Sequence, residues 1–416
     1  MKNKLTLILL IFVMHSYAQK MQCTLKGTVI NRSSKELLLF KATEDTRNTG
    51  VIIPIVDGEF EFVMTYEDQE AYQLIFKDER DKGTWRSIIF FPENTELNLT
   101  LHESKFFDKN KITGGNVNKK YQDLSEDIET KFKLQAMSIQ AKLGELRQNN
   151  KYYNEEAKDI KEKIKSTTDL DEKNTLLGRL NEMKKDHSDK SLKAKILMEG
   201  MDSLPQKYFD FGVDYIKTNP SKMSYYLLYN DAQQINRSGF DYMVSVQKNY
   251  LLLSKMYPDH PYTNIIGQML ETHKRIKVGS DFIDFEALEV TGNSIRISDK
   301  IKGKVTLLNL WASWCGPCIK KSRLMIPIYE KYKNKGFTIL GVAREFRNFT
   351  AFEKAMSREK YPWLNLIELD DKNDIWLKYN VPFSGGGMFL IDENGKILAL
   401  NPNAEEVDKT LEELLN

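Results

Sequence analysis

Cys315 and Cys318 stand two residues apart, with Gly316 and Pro317 between them, directly after a strand-like run (Leu307, Leu308, Asn309, Leu310) and the segment Trp311, Ala312, Ser313, Trp314. A cysteine pair at this spacing on the first turn of a helix can close a disulfide and reopen it. The nucleophile in such exchange is a thiolate. A cysteine at a helix N-terminus is favoured as the anion by unpaired backbone N–H groups and the helix dipole. The spacing therefore predicts that Cys315, at the helix start and exposed enough to attack, is the nucleophile. Cys318, one turn along, resolves the mixed disulfide. Pro317 suits the first turn, where its missing N–H costs nothing.

Other uses of the pair fit the sequence less well. A zinc site needs four ligands, but only Cys23 remains as a further cysteine and the five histidines are scattered. A purely structural disulfide is disfavoured, because so short a loop at a helix start is strained and favours reactivity. A peroxidase would need a threonine three residues and a proline seven residues before the attacking cysteine, where this chain has Ala312 and Leu308. No cofactor or metal is expected.

The elements that must position the pair alternate between strand and helix from about Val278 onward. The pattern predicts strands over residues 305–310, 337–342, 364–369 and 388–391, and helices from the cysteine pair to about Tyr332 and near 352–357. Asn394 and Gly395 form a hairpin turn into Ile397, Leu398 and Ala399, and 405–415 reads as a closing helix. A central β-α-β unit followed by a hairpin and a helix is the thioredoxin arrangement.

The run from Trp311 to Cys318, placed after a buried strand and before a helix, resembles the exported thioredoxin-like family of membrane-anchored or periplasmic disulfide reductases of the TlpA/ResA type. The resemblance covers about residues 278–416. It implies a thiol–disulfide oxidoreductase, more readily a reductase, with Trp314, Gly316 and Pro317 against the substrate. It also implies a role for Glu345, which falls where this family carries an acidic residue beside the site. A carboxylate there relays protons to the resolving thiol, and its charge raises the thiol pKa values. The competing reading of Glu345 is a glutamate on a surface loop.

The sequence departs from the family in two places. Counting back three residues from Phe389 lands on Gly386 where the family has a cis-proline, whereas counting forward from Tyr379 gives Gly385, so the loop is one residue longer. Pro382 lies too early to fill the position. Gly385, Gly386 and Gly387 offer backbone groups to the substrate with less preorganisation, since glycine has the most freedom to lose. Substrate docking is then expected to accept bulkier or more varied protein disulfides. The family also often carries a proline five residues after the second cysteine, where this chain has Arg323, and Pro327 is expected to kink the helix instead.

The remainder of the 416 residues suggests two further parts. Lys2 and Lys4 precede an apolar run over 5–14 and then Ser16, Tyr17 and Ala18, the layout of a signal peptide over 1–18 with Gln19 as the first mature residue. The run is too short to span a bilayer. Lipidation at Cys23 is disfavoured because Lys20, Met21 and Gln22 lack the small residue that normally precedes a lipidated cysteine. Cys23 reads instead as a small buried hydrophobe.

Residues 19–113 read as an all-β sandwich with a hairpin turn at Asp57 and Gly58, and 114–276 as an α-helical region rich in Lys, Glu, Asp and Gln. Leu124, Ile128 and Phe132 mark its helical spacing. An α/β thioredoxin-like fold over 277–416 completes a multidomain plan that looks like exported proteins of the Bacteroidetes group. A formal net charge of +2 implies no nucleic acid or acidic membrane surface as partner. The expected location is the periplasm or cell envelope. Expected partners are protein substrates with cysteines or disulfides, an electron donor the sequence does not identify, and a second copy bound through the helical region. The alternative is an envelope binding or assembly protein whose redox module is vestigial or self-regulating.

Overall fold

Residues 21–235 and 242–415 are described by a computed structural model of the chain; the expected signal peptide over 1–18 lies outside the described residues. The chain divides into two compact units. Among the described residues, one comprises those up to Ala42 together with Val51–Lys119; the other comprises Thr43–Gly50 and those from Lys120 onward.

The first unit is strand-rich. Its strands are β1 (Met21–Ile30), β2 (Glu36–Lys41), β3 (Val51–Pro54), β4 (Glu59–Tyr66), β5 (Tyr72–Phe76), β6 (Ile88–Phe90), β7 (Glu96–His102) and β8 (Lys111–Thr113). They form two four-stranded sheets in the orders β4-β1-β7-β8 and β3-β2-β5-β6. Alternating apolar residues from both sheets, including Leu25, Leu37, Leu74, Phe90 and Leu97, meet in one buried cluster. Cys23 lies in it as a free cysteine, and burial pushes its thiol pKa up.

Asp57 and Gly58 take the positive φ values of a tight turn, 52° and 81°. The arms of that turn nevertheless go to different sheets, joined by a single bridge between Val56 and Glu59. The expected hairpin is therefore a crossing between sheets. It lets Ile53 and Ile55 on one arm and Phe60 and Met64 on the other face the same core.

In the second unit, helices Leu134–Gln148 and Leu192–Thr218 pack through Ile139, Leu143, Leu146, Ala194 and Leu204. Helices Glu155–Ser166 and Leu170–Lys185 pack through Ala157, Ile160 and Leu180. Asn154, Asp169 and Ser191 cap three of these helices by accepting backbone N–H bonds, so the polar runs between the apolar positions are punctuated as well as solvated. No helix among the described residues is long and apolar enough to cross a membrane.

The same unit ends in a seven-stranded sheet of order β10-β9-β13-β12-β11-β14-β15. Its strands are β9 (Glu286–Leu288), β10 (Ser294–Arg296), β11 (Val305–Trp311), β12 (Phe337–Glu345), β13 (Leu364–Leu369), β14 (Gly387–Ile391) and β15 (Ile397–Leu400). β11 is buried along its whole length, parallel to β12 and antiparallel to β14. One face of the sheet, with Leu307, Trp311 and Ile339, packs against helices Gly316–Tyr332, Thr350–Glu359 and Ala404–Leu415. The opposite face, with Leu308, Leu310 and Val342, packs against Trp376, Tyr379 and Ile297. This is a thioredoxin-like α/β layer arrangement, with β11 delivering its C-terminal end directly to the cysteine pair.

One local expectation changes. β12 continues to Glu345, so Arg344 and Glu345 belong to a buried strand and not to the loop after it. The helix after the cysteines reaches Tyr332 as expected, with Pro327 inside it. Arg323, at the position where the family often has proline, donates to the Glu359 carboxylate from Nε at 2.6 Å and from its Nη2 at 2.9 Å. This pairing, with Arg358 beside it, holds the Glu359 carboxyl down at about 2 and ties the active-site helix to its neighbour.

Candidate active site

Cys315 is the N-cap of helix Gly316–Tyr332, with φ −88° and ψ 87°, and its Sγ accepts the N–H of Cys318 at 3.3 Å. Its own N–H donates to the Ala312 carbonyl at 3.0 Å, which bends the chain out of β11 and into the helix. Cys315 and Cys318 are joined as a disulfide, with their Cα atoms 5.3 Å apart. Pro317 sits in the first turn. A Cβ on Gly316 would meet nothing within 4 Å, so sterics place no demand for glycine there.

In the disulfide Cys315 is 6% exposed and Cys318 9%, and both line a cavity of about 340 Å³. The cavity brings together Trp314, Gly316, Pro317, Gly385 and Gly386 from the sequence-based set, and adds Arg47, Asn309, Lys321 and Ser384. Asn309 is fixed on β11 by donating to Ser322 Oγ at 2.8 Å.

Gly386 immediately precedes β14, and its backbone lies against the disulfide. A Cβ at this residue would collide with the Leu310 carbonyl oxygen and stand 3.0 Å from Cys318 Sγ. Its φ is not left-handed, so glycine is required here for space and not for backbone conformation. The loop is also pinned on both sides. The Gly385 carbonyl accepts from Trp376 Nε1 at 2.8 Å, and Gly387 is in register with Leu310 in the sheet. Sheet pairing and an indole bond thus hold the glycines on either side of Gly386 in place.

Glu345 is 2% exposed, which overturns its reading as a surface-loop residue. One carboxylate oxygen accepts from the Ser313 N–H and the other from Ser313 Oγ, both at 2.8 Å. The carboxylate thus clamps the turn two residues before Cys315. Burial pushes its pKa up, while the Ser313 bonds and the nearby Arg47 charge pull it back. A buried acid with a raised pKa binds its proton more tightly in the folded chain. Its contribution to stability is therefore greatest below the unfolded carboxyl range and is lost as pH rises through the shifted value. Glu345→Gln is expected to flatten this pH dependence in thermal melts that start below the ordinary carboxyl range and run to well above it, and to shift the pH profile of Cys315 alkylation downward. Superimposable profiles for the two proteins would remove Glu345 from the site.

Ser313, Arg47 and Lys321 escaped the sequence reading. Ser313 sits inside the recognised run, and a hydroxyl so close to a cysteine pair and a buried acid was the available signal. Arg47 gives none, because its place depends on Asp45 and Arg344, which are 299 positions apart and bonded at 2.9 Å.

A family model described as Redoxin matches residues 277–415, and another described as a domain of unknown function (DUF4369) matches residues 23–121. The thiol-disulfide oxidoreductase ResA of Bacillus thuringiensis subsp. konkukian is 30% identical over 146 residues, covering 34% of this chain and 79% of that protein. ResA of Geobacillus kaustophilus is 31% identical over 161 residues, covering 37% of this chain and 84% of that protein. Among solved structures, the thioredoxin domain of a thiol-disulfide oxidoreductase from Bacteroides vulgatus is 29% identical and aligns with a TM-score of 0.31, covering 34% of this chain and 99% of that one.

Proposed function

We propose, from the premise that this chain belongs to the TlpA/ResA-type family of thiol–disulfide oxidoreductases, that it reduces disulfides of exported proteins in the periplasm or cell envelope. The observation that carries this reading is the placement of Cys315 Sγ at a helix N-terminus, accepting the Cys318 N–H at 3.3 Å on the floor of an open cavity. In the reduced protein the Cys315 thiolate attacks one sulfur of a substrate disulfide. A Cys315–substrate disulfide forms as the substrate S–S bond breaks, and the other substrate sulfur leaves as a thiolate. Cys318, deprotonated, then attacks Cys315 Sγ and expels the second substrate thiolate. Two electrons pass to the substrate, and the protein is left with its own disulfide. An external dithiol donor restores the reduced pair.

Glu345 acts through Ser313 as a positioning residue and sets the charge beside the pair. The apolar run over 5–14 after Lys2 and Lys4 supports export. The one cluster shared by both sheets supports a β-sandwich over 19–113, followed by the helical region over 114–276 and the thioredoxin-like domain over 277–416.

The test is reduction of insulin disulfides in the presence of a small dithiol. The wild-type chain is expected to accelerate precipitation of the insulin B chain, and Cys315→Ser to return it to the rate of the dithiol alone. Equal rates for the two proteins would leave only the binding or assembly reading.

A further inference from the structure

Arg47 belongs to the short segment Thr43–Gly50 of the second unit. Its guanidinium lies 3.6 Å from the centre of the Trp314 ring, on the residue directly before Cys315. Its Nη1 donates to the two oxygens of Asp45 at 3.0 and 3.1 Å. Asp45 is itself held by Arg344 Nη1 at 2.9 Å. Arg344 is 1% exposed and is fixed by Asp371 and by the Phe383 carbonyl. Arg47 is therefore a planar cation held by a ring on one side and by a buried ion-pair chain on the other, with 24% of its side chain still exposed.

This arrangement is more than charge balance. Asp45 and Asp371 match Arg344 and Arg47 in number, with the Glu345 carboxylate also near the Arg47 charge, so what Arg47 contributes is a guanidinium of fixed direction. The cavity lining itself has two charged side chains, Arg47 and Lys321, and both are basic. Lys321 is exposed on the helix that carries Cys318. A polypeptide whose disulfide reaches Cys315 must lay its neighbouring residues between or beside these two cations. A fixed guanidinium suits a carboxylate in bidentate geometry, and an exposed ammonium adds a point charge.

We propose that Arg47, with Lys321, is a specificity-determining residue that selects protein disulfides whose cysteine is flanked by acidic side chains. The proposal rests on the reading of the pair as a reductase of protein disulfides.

The test uses the full chain, reduced beforehand, in single-turnover reaction with two short peptides. Each peptide is a dimer joined through one cysteine. Glu flanks the cysteine on both sides in one peptide and Gln in the other. The wild type is expected to favour the acidic peptide by about tenfold in the second-order rate constant, the effect of one charge-assisted hydrogen bond of ordinary strength. Added salt should weaken that preference. Arg47→Gln should bring the ratio close to one, Arg47→Glu should invert it, and Arg47→Lys should retain part of it, which guards against simple misfolding. A wild-type ratio near one, or a ratio unmoved in both Arg47→Gln and Arg47→Glu, overturns the proposal while leaving the reductase intact. Reduction of neither peptide removes the reductase reading itself, and the proposal with it.

Discussion

Cys318→Ser is expected to turn the protein into a trap: mixed with a protein disulfide, it accumulates an intermolecular disulfide through Cys315 that neither the wild type nor Cys315→Ser retains. Exposure alone does not choose between the sulfurs, since both are recessed to a similar degree, 6% and 9%. Electrostatics does. Cys315 Sγ takes the Cys318 N–H at 3.3 Å and sits at the positive end of a 17-residue helix. The dipole alone is worth roughly 0.3–1 kcal/mol to an anion, and the hydrogen bond adds a similar amount, about 1 kcal/mol. Both favour the thiolate at Cys315 over one at Cys318. Cys318 lies within the helix with Gly386 closing over it, so it is placed to deliver the internal attack on Cys315 Sγ and not the first external one. With serine at 318 the first step proceeds and the second has no nucleophile. A non-reducing gel would show the adduct as a band dissolved by dithiothreitol, and mass spectrometry would place it on Cys315. An adduct that forms in Cys315→Ser and is absent from Cys318→Ser would reverse the assignment.

What was readable in the sequence divides by the range of the interaction. The run over 305–310 could be assigned because a strand buried on both faces is apolar at most positions, with Asn309 the buried polar exception bonded to Ser322, and such a run belongs at the centre of a sheet. The turn at Asp57 and Gly58 was legible for the same local reason, but which sheets its arms join depends on β2 and β1, and no local pattern encodes that. The end of β12 is hidden because Arg344 and Glu345 are charged, and charges sit outside unless partners are supplied. The partners exist, but they come from Asp45, Asp371 and Ser313. A buried arginine is affordable only in that company, and the company is assembled by the fold. Gly386 was found by counting from Phe389, although the reason for glycine there became visible only when Leu310 and Cys318 were brought against it.

That reason makes Gly386→Ala the second large effect. The added Cβ would overlap the Leu310 carbonyl oxygen and press on Cys318 Sγ at 3.0 Å. The sulfur can turn away when the pair is reduced. The carbonyl cannot, because Leu310 is in register with Gly387 across β11 and β14, and moving it would shift the end of the strand that delivers Cys315. Overpacking of this kind costs roughly 1–3 kcal/mol. Proline carries the same Cβ, so Gly386→Pro is expected to lose turnover as well, even though proline is the residue the family usually has there. Gly385→Ala supplies the comparison: a Cβ on Gly385 meets nothing within 4 Å, and its φ is not left-handed. Gly386→Ala is therefore expected to melt earlier than Gly385→Ala and to reduce insulin slowly, with the deficit largest in the oxidised state, where Cys318 Sγ is fixed by its bond to Cys315. Melting curves recorded for both variants, oxidised and reduced, decide the matter. If the two alanine variants melt together in the oxidised state, the contact between Gly386 and the disulfide does not shape this site.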